Sequence, residues 1–587
     1  MNQNIQNILY LRGKALMRKH KWLLLLLVVV MVLSAVLTGC GKSEEPATNG
    51  ENEEEKKEEK TEKLAAEQIL RINWGEEPPD LDPQTTTDQV SMEVLNACME
   101  GLVRLNPDGT VGKGLAESYE KQDTESGGEI WTFKLRDAKW SDGTPITAKD
   151  FEDAWFRAIS PDVASQYSYQ LTDTAGIKNA DKYFAGEITD KSQVGIKAVD
   201  DKTFQVELTR KVPFFLSLTS FTTFVPAQSA AVTKFGDTYA SAPDKMVYSG
   251  PYVISEWNHE QNLNLKKNDN YWDAESVKLQ EIKGDMITDS NTFINLYDTD
   301  ELDVTGVPSD FLEKYKGSSE YGSVAEATTW YIQYNCEDKY IKNLNIRKAL
   351  SMAIDAKSFV DNVLANGSIL ADGLTPTLLP GKGGKEFAEN RKELLDNKEY
   401  TFPTFDAAKA KEYFETGLKE LGITAQQFQE HTTFLTGESD TAKKQAAAIQ
   451  SMWKQNLGID VKIETVSFKL RIDRYDRKDY TTTFAGWGAD YNDPLTFMDL
   501  WVTGSGNNTA FWSNAAYDED IKKAVNGEGD ERIDAMLDGE KILAEELPIF
   551  PIWYNARNFL TKPYVKDVIR FPVGADLEFK WTYLIEH

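Results

Sequence analysis

TTFLTGESDTAKKQAAAIQSMWKQNLGIDVKIET, residues 432–465, reads in the order strand, helix, strand. Thr432–Leu435 is short and β-rich, Asp440–Leu457 carries helix formers, and Ile459–Thr465 alternates. Asp440 is placed to cap the helix N-terminus, and Gly458 supplies the turn past its end. The economical solution is a right-handed βαβ unit in a largely parallel sheet. The fold class predicted from it is α/β.

Outward from this unit the pattern stays mixed. Gln68–Trp74 alternates as an opening strand, and Ile130–Leu135, Thr203–Leu208 and Leu263–Lys267 read as further strands. Ser91–Leu102 sets Val94, Leu95, Cys98, Met99 and Leu102 at helical spacing, which assigns Cys98 to packing. Asn345–Gly367 reads as one long helix ended by Gly367. The 587 residues, 41% hydrophobic and 11% aromatic, suffice for several cores. No repeat of solenoid period is present.

Formal net charge is −29, which argues against nucleic acid, whose binding needs basic side chains on phosphates. The charge is unevenly placed. Residues 1–40 carry Arg12, Lys14, Arg18, Lys19, Lys21 and no acid, followed by an apolar run, Leu23–Leu37, shorter than the ~20 residues of a spanning helix. That is the layout of a secretory signal, with Met1 or Met17 as its start. Leu37-Thr-Gly-Cys40 then resembles the bacterial lipobox, which implies cleavage before Cys40 and lipidation of its thiol. The alternative is a buried cysteine ending a signal anchor. Residues 41–63, with nine Glu and five Lys, cannot bury enough apolar surface to fold alone. They read as an acidic tether of about 25 Å, or as a short charged helix.

Catalytic signatures are absent. The chain has no G-x-x-x-x-G-K-[ST], H-E-x-x-H, G-x-S-x-G or C-x-x-C. Asp298–Asp303 fails as a calcium loop, with Asp303 where Gly and Ser309 where Glu would be required. Four histidines and three cysteines leave little for a metal site, so no metal and no cofactor are expected.

Several short motifs carry a family resemblance. They are Leu81-Asp-Pro83, Glu100-Gly-Leu-Val103, Gly114-Leu-Ala-Glu-Ser118, Trp131–Arg136, Trp140-Ser-Asp-Gly-Thr-Pro-Ile-Thr-Ala-Lys-Asp150, Ser249-Gly-Pro-Tyr252, Lys267–Trp272, Arg347–Asp355 and Ala485-Gly-Trp-Gly-Ala-Asp-Tyr-Asn492. Their order over most of the chain resembles the extracytoplasmic solute-binding proteins of peptide ABC transporters, family 5, the oligopeptide- and dipeptide-binding group. The resemblance implies a non-enzymatic, two-lobed periplasmic-binding-protein-like fold with mixed sheets, a hinge and an extra inserted domain. It sets a signal peptide at 1–40, a tether at 41–63, lobe I at 64–100, 235–328 and 550–587, the inserted domain at 101–234, and lobe II at 329–549. The hinge strands would run near Trp330–Asn335 and Pro551–Asn555. The implied partners are an oligopeptide ligand, an ABC permease with its ATPase subunits, and the membrane through the lipid anchor. The protein would act as a monomer on the outer face of a Gram-positive bacterial cytoplasmic membrane.

By the same resemblance Asp490 occupies the position of the acid that holds a peptide α-amine; read locally, it closes an Asx turn toward Asn492 and Pro494. Gly486 and Gly488 would admit a ligand backbone, and Tyr491 would be a ligand-binding residue of the same loop. Trp487 and Tyr167 fall where the family lines its pocket, although large aromatics are usually core. Thr87 and Gln89 match positions whose backbone pairs with peptide. Two departures stand out. Phe484 replaces a basic residue that helps to hold the peptide carboxylate in some relatives, and Gly488 replaces a bridged cysteine, leaving Cys336 free. The same scaffold also serves pheromone peptides, oligosaccharides, nickel and haem; a surface hydrolase is the alternative outside the binding class.

Overall fold

The computed structural model describes residues 63–397 and 401–587. The signal, Cys40 and the tether up to Glu62 lie outside them. Strands β1 (Ile69–Asn73), β2 (Ala116–Asp123), β3 (Glu129–Leu135), β4 (Ile196–Asp200), β5 (Thr203–Leu208), β6 (Tyr252–Asn258), β7 (Asn262–Lys267), β8 (Glu281–Asp285), β9 (Val304–Gly306), β10 (Tyr321–Tyr334), β11 (Thr433–Thr436), β12 (Lys462–Thr465), β13 (Thr482–Gly488) and β14 (Ile549–Thr561) form two sheets. The larger runs β12-β11-β13-β10-β14-β9-β1-β8-β7-β6, with Ile369–Leu370 added beside β14. The smaller, β2-β3-β5-β4, is antiparallel and shares no strand with it.

Helix α1 spans Gln89–Cys98, α2 Ala148–Ala158, α3 Leu344–Met352, α4 Asp440–Leu457, α5 Phe468–Asp476 and α6 Gly529–Glu546. The 432–465 reading holds in outline: β11 and β12 are parallel neighbours joined through α4. Its cap sits one residue earlier, where the Ser439 hydroxyl accepts from the Ala442 N–H, while Gly458 takes φ +72° as expected. The expectation of a largely parallel sheet is corrected. Only β12-β11-β13 and β9-β1-β8 are parallel; the centre, β13-β10-β14-β9, is antiparallel. One βαβ unit cannot reveal that long strands from distant sequence will pair across the middle.

The single helix expected over 345–367 is also corrected. It breaks after Met352, because the Asp355 side chain accepts from the Ser358 N–H and starts a new turn. A wide five-residue-repeat turn, Phe359–Leu364, follows and ends at Ala365 in the left-handed region. Similarly, α1 stops at Cys98 rather than Leu102, and Cys98 is fully buried as expected.

Two motifs show why they are built as they are. In Trp140–Asp150, Gly143 takes φ +87° in the turn, and Thr147 with Asp150 forms a capping box that starts α2. Phe151 and Trp155 of α2 then pack on Phe204 at 5.7 and 5.0 Å, covering the smaller sheet. In Arg347–Asp355, the buried Arg347 guanidinium donates to the carbonyls of Ile341, Lys342 and Glu546 at 2.7–3.1 Å. It thereby ties α3 to the C-terminal end of α6 and satisfies carbonyls that the helix leaves unpaired. Arg347→Ala strands these acceptors, so urea denaturation is expected to show a loss of about 3 kcal/mol, with Arg347→Lys recovering less than half.

Candidate ligand-binding site

A cavity of about 770 Å³ lies against the middle of the larger sheet, walled by β1, β9, β10, β13 and β14, by the start of α1 and by α5. That volume is in the range of sites that enclose a small organic ligand or short peptide. Thr87, Gln89, Tyr167, Gly486, Trp487, Gly488 and Asp490 all line it, although they come from three distant parts of the chain.

Asp490 follows β13 and is half-buried in the wall. The Tyr167 hydroxyl donates to its Oδ1 at 3.4 Å, and the Gln170 side-chain amide donates to Oδ2 at 3.1 Å. Its carboxylate closes no local turn. That job belongs to Asp493, which accepts from the Leu495 N–H at 2.9 Å and pairs with both Nη atoms of Arg532. With Arg532 paired to Asp493, neither Asp490 nor the nearby Asp499 forms an ion pair with a described residue. Burial, then repulsion from Asp499, pushes the Asp490 carboxyl well above its usual range, against the hydrogen bonds from Tyr167 and Gln170. Burial likewise raises Asp499 to about 7, against hydrogen bonds from Thr174 and Tyr491.

The remaining residues divide. Trp487 faces the cavity 6.2 Å from the Tyr167 ring, with its Nε1–H buried and unpartnered. Gly486 lines the cavity by its backbone, but the space of its missing side chain is already filled. A Cβ there would stand 2.8 Å from the indole of Trp330, which stacks on Trp553 at 5.6 Å. A Cβ on Gly488 would meet Thr328 Oγ1 at 3.1 Å. The Gln89 side chain donates to the Gly574 carbonyl, so it orders the wall beside it. Tyr491 corrects the sequence reading. It lies outside the cavity lining, beyond the end of β13, where it stacks on Phe214 at 5.0 Å and donates to Asp499. Cys98 and Cys336 are both unpaired, and burial pushes the Cys336 thiol up to about 11.

β13 gives the site its most useful backbone. Along one edge it pairs with β10 from Thr482 to Gly488; along the other, β11 reaches only Thr482 and Thr483. The second edge is therefore open at Ala485–Gly488, and these residues line the cavity. Across from it, Arg557 on β14 is shared among Glu93, Glu326 and Asp576, three acids to one cation. Sequence reasoning missed Gln170, Asp499 and this cluster. Gln170 sits one turn after Tyr167, a spacing that could have found it, whereas the other residues meet the site through tertiary contacts.

Comparison with known proteins matches the model for bacterial extracellular solute-binding proteins, family 5, over residues 110–509. The chain belongs to this family. It is 34% identical over 567 residues to the oligopeptide-binding protein OppA of Bacillus subtilis (strain 168), covering 94% of this chain and 98% of that protein. The substrate-binding domain of an oligopeptide ABC transporter from Bacillus anthracis superposes with a TM-score of 0.83 at 34% identity. Listeria monocytogenes OppA bound to peptide gives 0.82, also at 34% identity. Each structure covers 89% of this chain and is itself fully matched. The fold is thus the two-lobed solute-binding architecture with mixed sheets, in a family of substrate-binding transport proteins.

A carboxyl pushed up by burial binds its proton more tightly folded than unfolded, so its contribution is full below pH ~4 and is lost as pH rises through its folded value. For Asp499 that window runs from about 4 to about 7. Thermal melts of the ligand-free protein are therefore expected to show falling stability from pH 4 to 7, with Asp499→Asn flattening the slope.

Proposed function

We propose that the protein captures extracellular oligopeptides in this cavity and hands them to a peptide ABC permease, and through it to the ATPase subunits, without chemistry on the ligand. The observation that carries this reading is the open edge of β13 at Ala485–Gly488 beside an acid that has no cation. An extended peptide adds to such an edge by main-chain hydrogen bonds that ignore its side chains. Its α-ammonium supplies the missing charge to Asp490 through a charge-assisted bond, held in line by Tyr167 and Gln170. Trp487 covers the first residues, and the backbone of Thr87 and Gln89 faces the ligand from the opposite wall. The relatives named for oligopeptide binding support the same substrate class.

The lobes run 64–100, 235–328 and 550–587 for lobe I and 329–549 for lobe II, with 101–234 inserted. β10 and β14 join them, and the register slip between Ala325 and Thr329 supports a hinge there. Cys40 is diacylated and anchors a monomer to the outer face of the cytoplasmic membrane of a Gram-positive bacterium, with 41–63 as spacer.

Mass spectrometry of ligands co-purified with fragment 64–587 is expected to show a mixture of short peptides; sugar alone, or cleavage of added peptide with time, would overturn the reading. Asp490→Asn should cut the preference for free-amine over N-acetylated peptide by about 30-fold, the size of one lost charge-assisted bond. Cys40→Ala is expected to release the full chain from carbonate-washed membranes.

A further inference from the structure

A zwitterionic ligand has a second charged end, and Phe484, where the resemblance implies a basic residue in some relatives, is buried among Phe359, Phe434 and Trp553. α5 lies beside that position. Phe468, Arg471, Ile472, Tyr475 and Asp476 line the cavity, a spacing of three and four that puts them on one helical face. The Tyr475 hydroxyl donates to the Phe484 carbonyl at 2.9 Å, which fixes this face against β13.

Most basic residues around α5 are already engaged, and Lys469 is exposed and outside the cavity lining. Arg474 pairs with Glu464 and Asp479, Arg477 with Asp473, and Lys478 with Glu337. Lys444, on α4, pairs with Asp310. Arg471 makes no side-chain hydrogen bond or ion pair with any described residue, and its Nε–H is sealed from solvent without an acceptor. Its guanidinium carbon stands 5.2 Å over the Phe468 ring. Its Nη1 packs on Gly437, where a Cβ would be 3.6 Å away. That contact sets the guanidinium at the turn entering α4, whose residues Ser439, Thr441 and Ala442 also line the cavity. The 18-residue α4 adds the positive end of its dipole at this place. Glu76 lies near enough to Arg471 to interact, but burial and the neighbouring Glu438 push its carboxyl up, and it forms no ion pair with Arg471.

We infer that Arg471 is the anion anchor of the cavity and takes the free carboxylate at the C-terminal end of a bound peptide, with the N-terminal turn of α4 beside it. This rests on the peptide reading above. A planar guanidinium meets a carboxylate in a two-bond fork, and a ligand carboxylate would supply the acceptor that the sealed Nε–H lacks. The anchors then bracket the open edge of β13. Phe484, beside α5, lies six positions before Asp490, a span of at most about 20 Å at ~3.3 Å per residue, the reach of an extended hexapeptide.

The test uses alanine peptides of three to six residues, each with a free or an amidated C-terminus, titrated calorimetrically into fragment 64–587. The wild type is expected to favour the free acid about 30-fold. Arg471→Gln should bring that ratio close to one while leaving affinity for the amide unchanged, and Arg471→Lys should fall between. Thermal melts of both variants are expected to match the wild type, because Arg471 ties down no other residue. An undiminished acid preference in Arg471→Gln would overturn the assignment, as would equal, tight binding of both forms by the wild type. Failure of the wild type to bind any peptide of either form would overturn the peptide reading itself, and this role with it.

Discussion

The antiparallel pairing of β10 with β14 is the constraint from which the rest of the architecture follows. Both strands are more than twice the usual length, and their partners differ at the two ends: β13 lies beside Thr328–Tyr334, while β9 lies beside Phe559–Thr561. One ribbon therefore holds two parallel blocks of sheet apart and in register. The cavity occupies the place where neither block is complete, which is why β13 keeps an unpaired edge there. A sheet edge inside a protein is normally covered, because its amide and carbonyl groups need partners. Here the covering is left to whatever enters.

The electrostatics follow the same logic. Cations near the site are mostly committed to structural acids, Arg532 to Asp493 and Arg557 to three carboxylates. Among the cavity-lining groups without an ion pair are the acid at the end of β13 and the guanidinium on α5. A ligand that carries the complementary charges supplies the partners these two groups lack.

The sequence made the elements legible where local patterns govern them. The 432–465 unit, Cys98 in a helix face and the Gly143 turn needed only periodicity and glycine chemistry. It failed where tertiary contacts decide. Asp355 interrupts a helical pattern that apolar spacing alone would continue, and the antiparallel centre of the large sheet joins strands more than 200 residues apart. For the site, family motifs pointed to Asp490 and Trp487, and the spatial neighbours Gln170 and Asp499 carried no such signal. Tyr491 was misplaced because adjacency in a motif says nothing about which side a residue faces.

The stacked indoles of Trp330 and Trp553 have a spectroscopic consequence. Their planes are within 7° of parallel and their centres 5.6 Å apart, on the facing strands of the ribbon. Two identical chromophores so close share their excitation, and the splitting depends on their mutual angle. The near-ultraviolet circular dichroism of the protein therefore contains a built-in goniometer for the ribbon, one that needs no label.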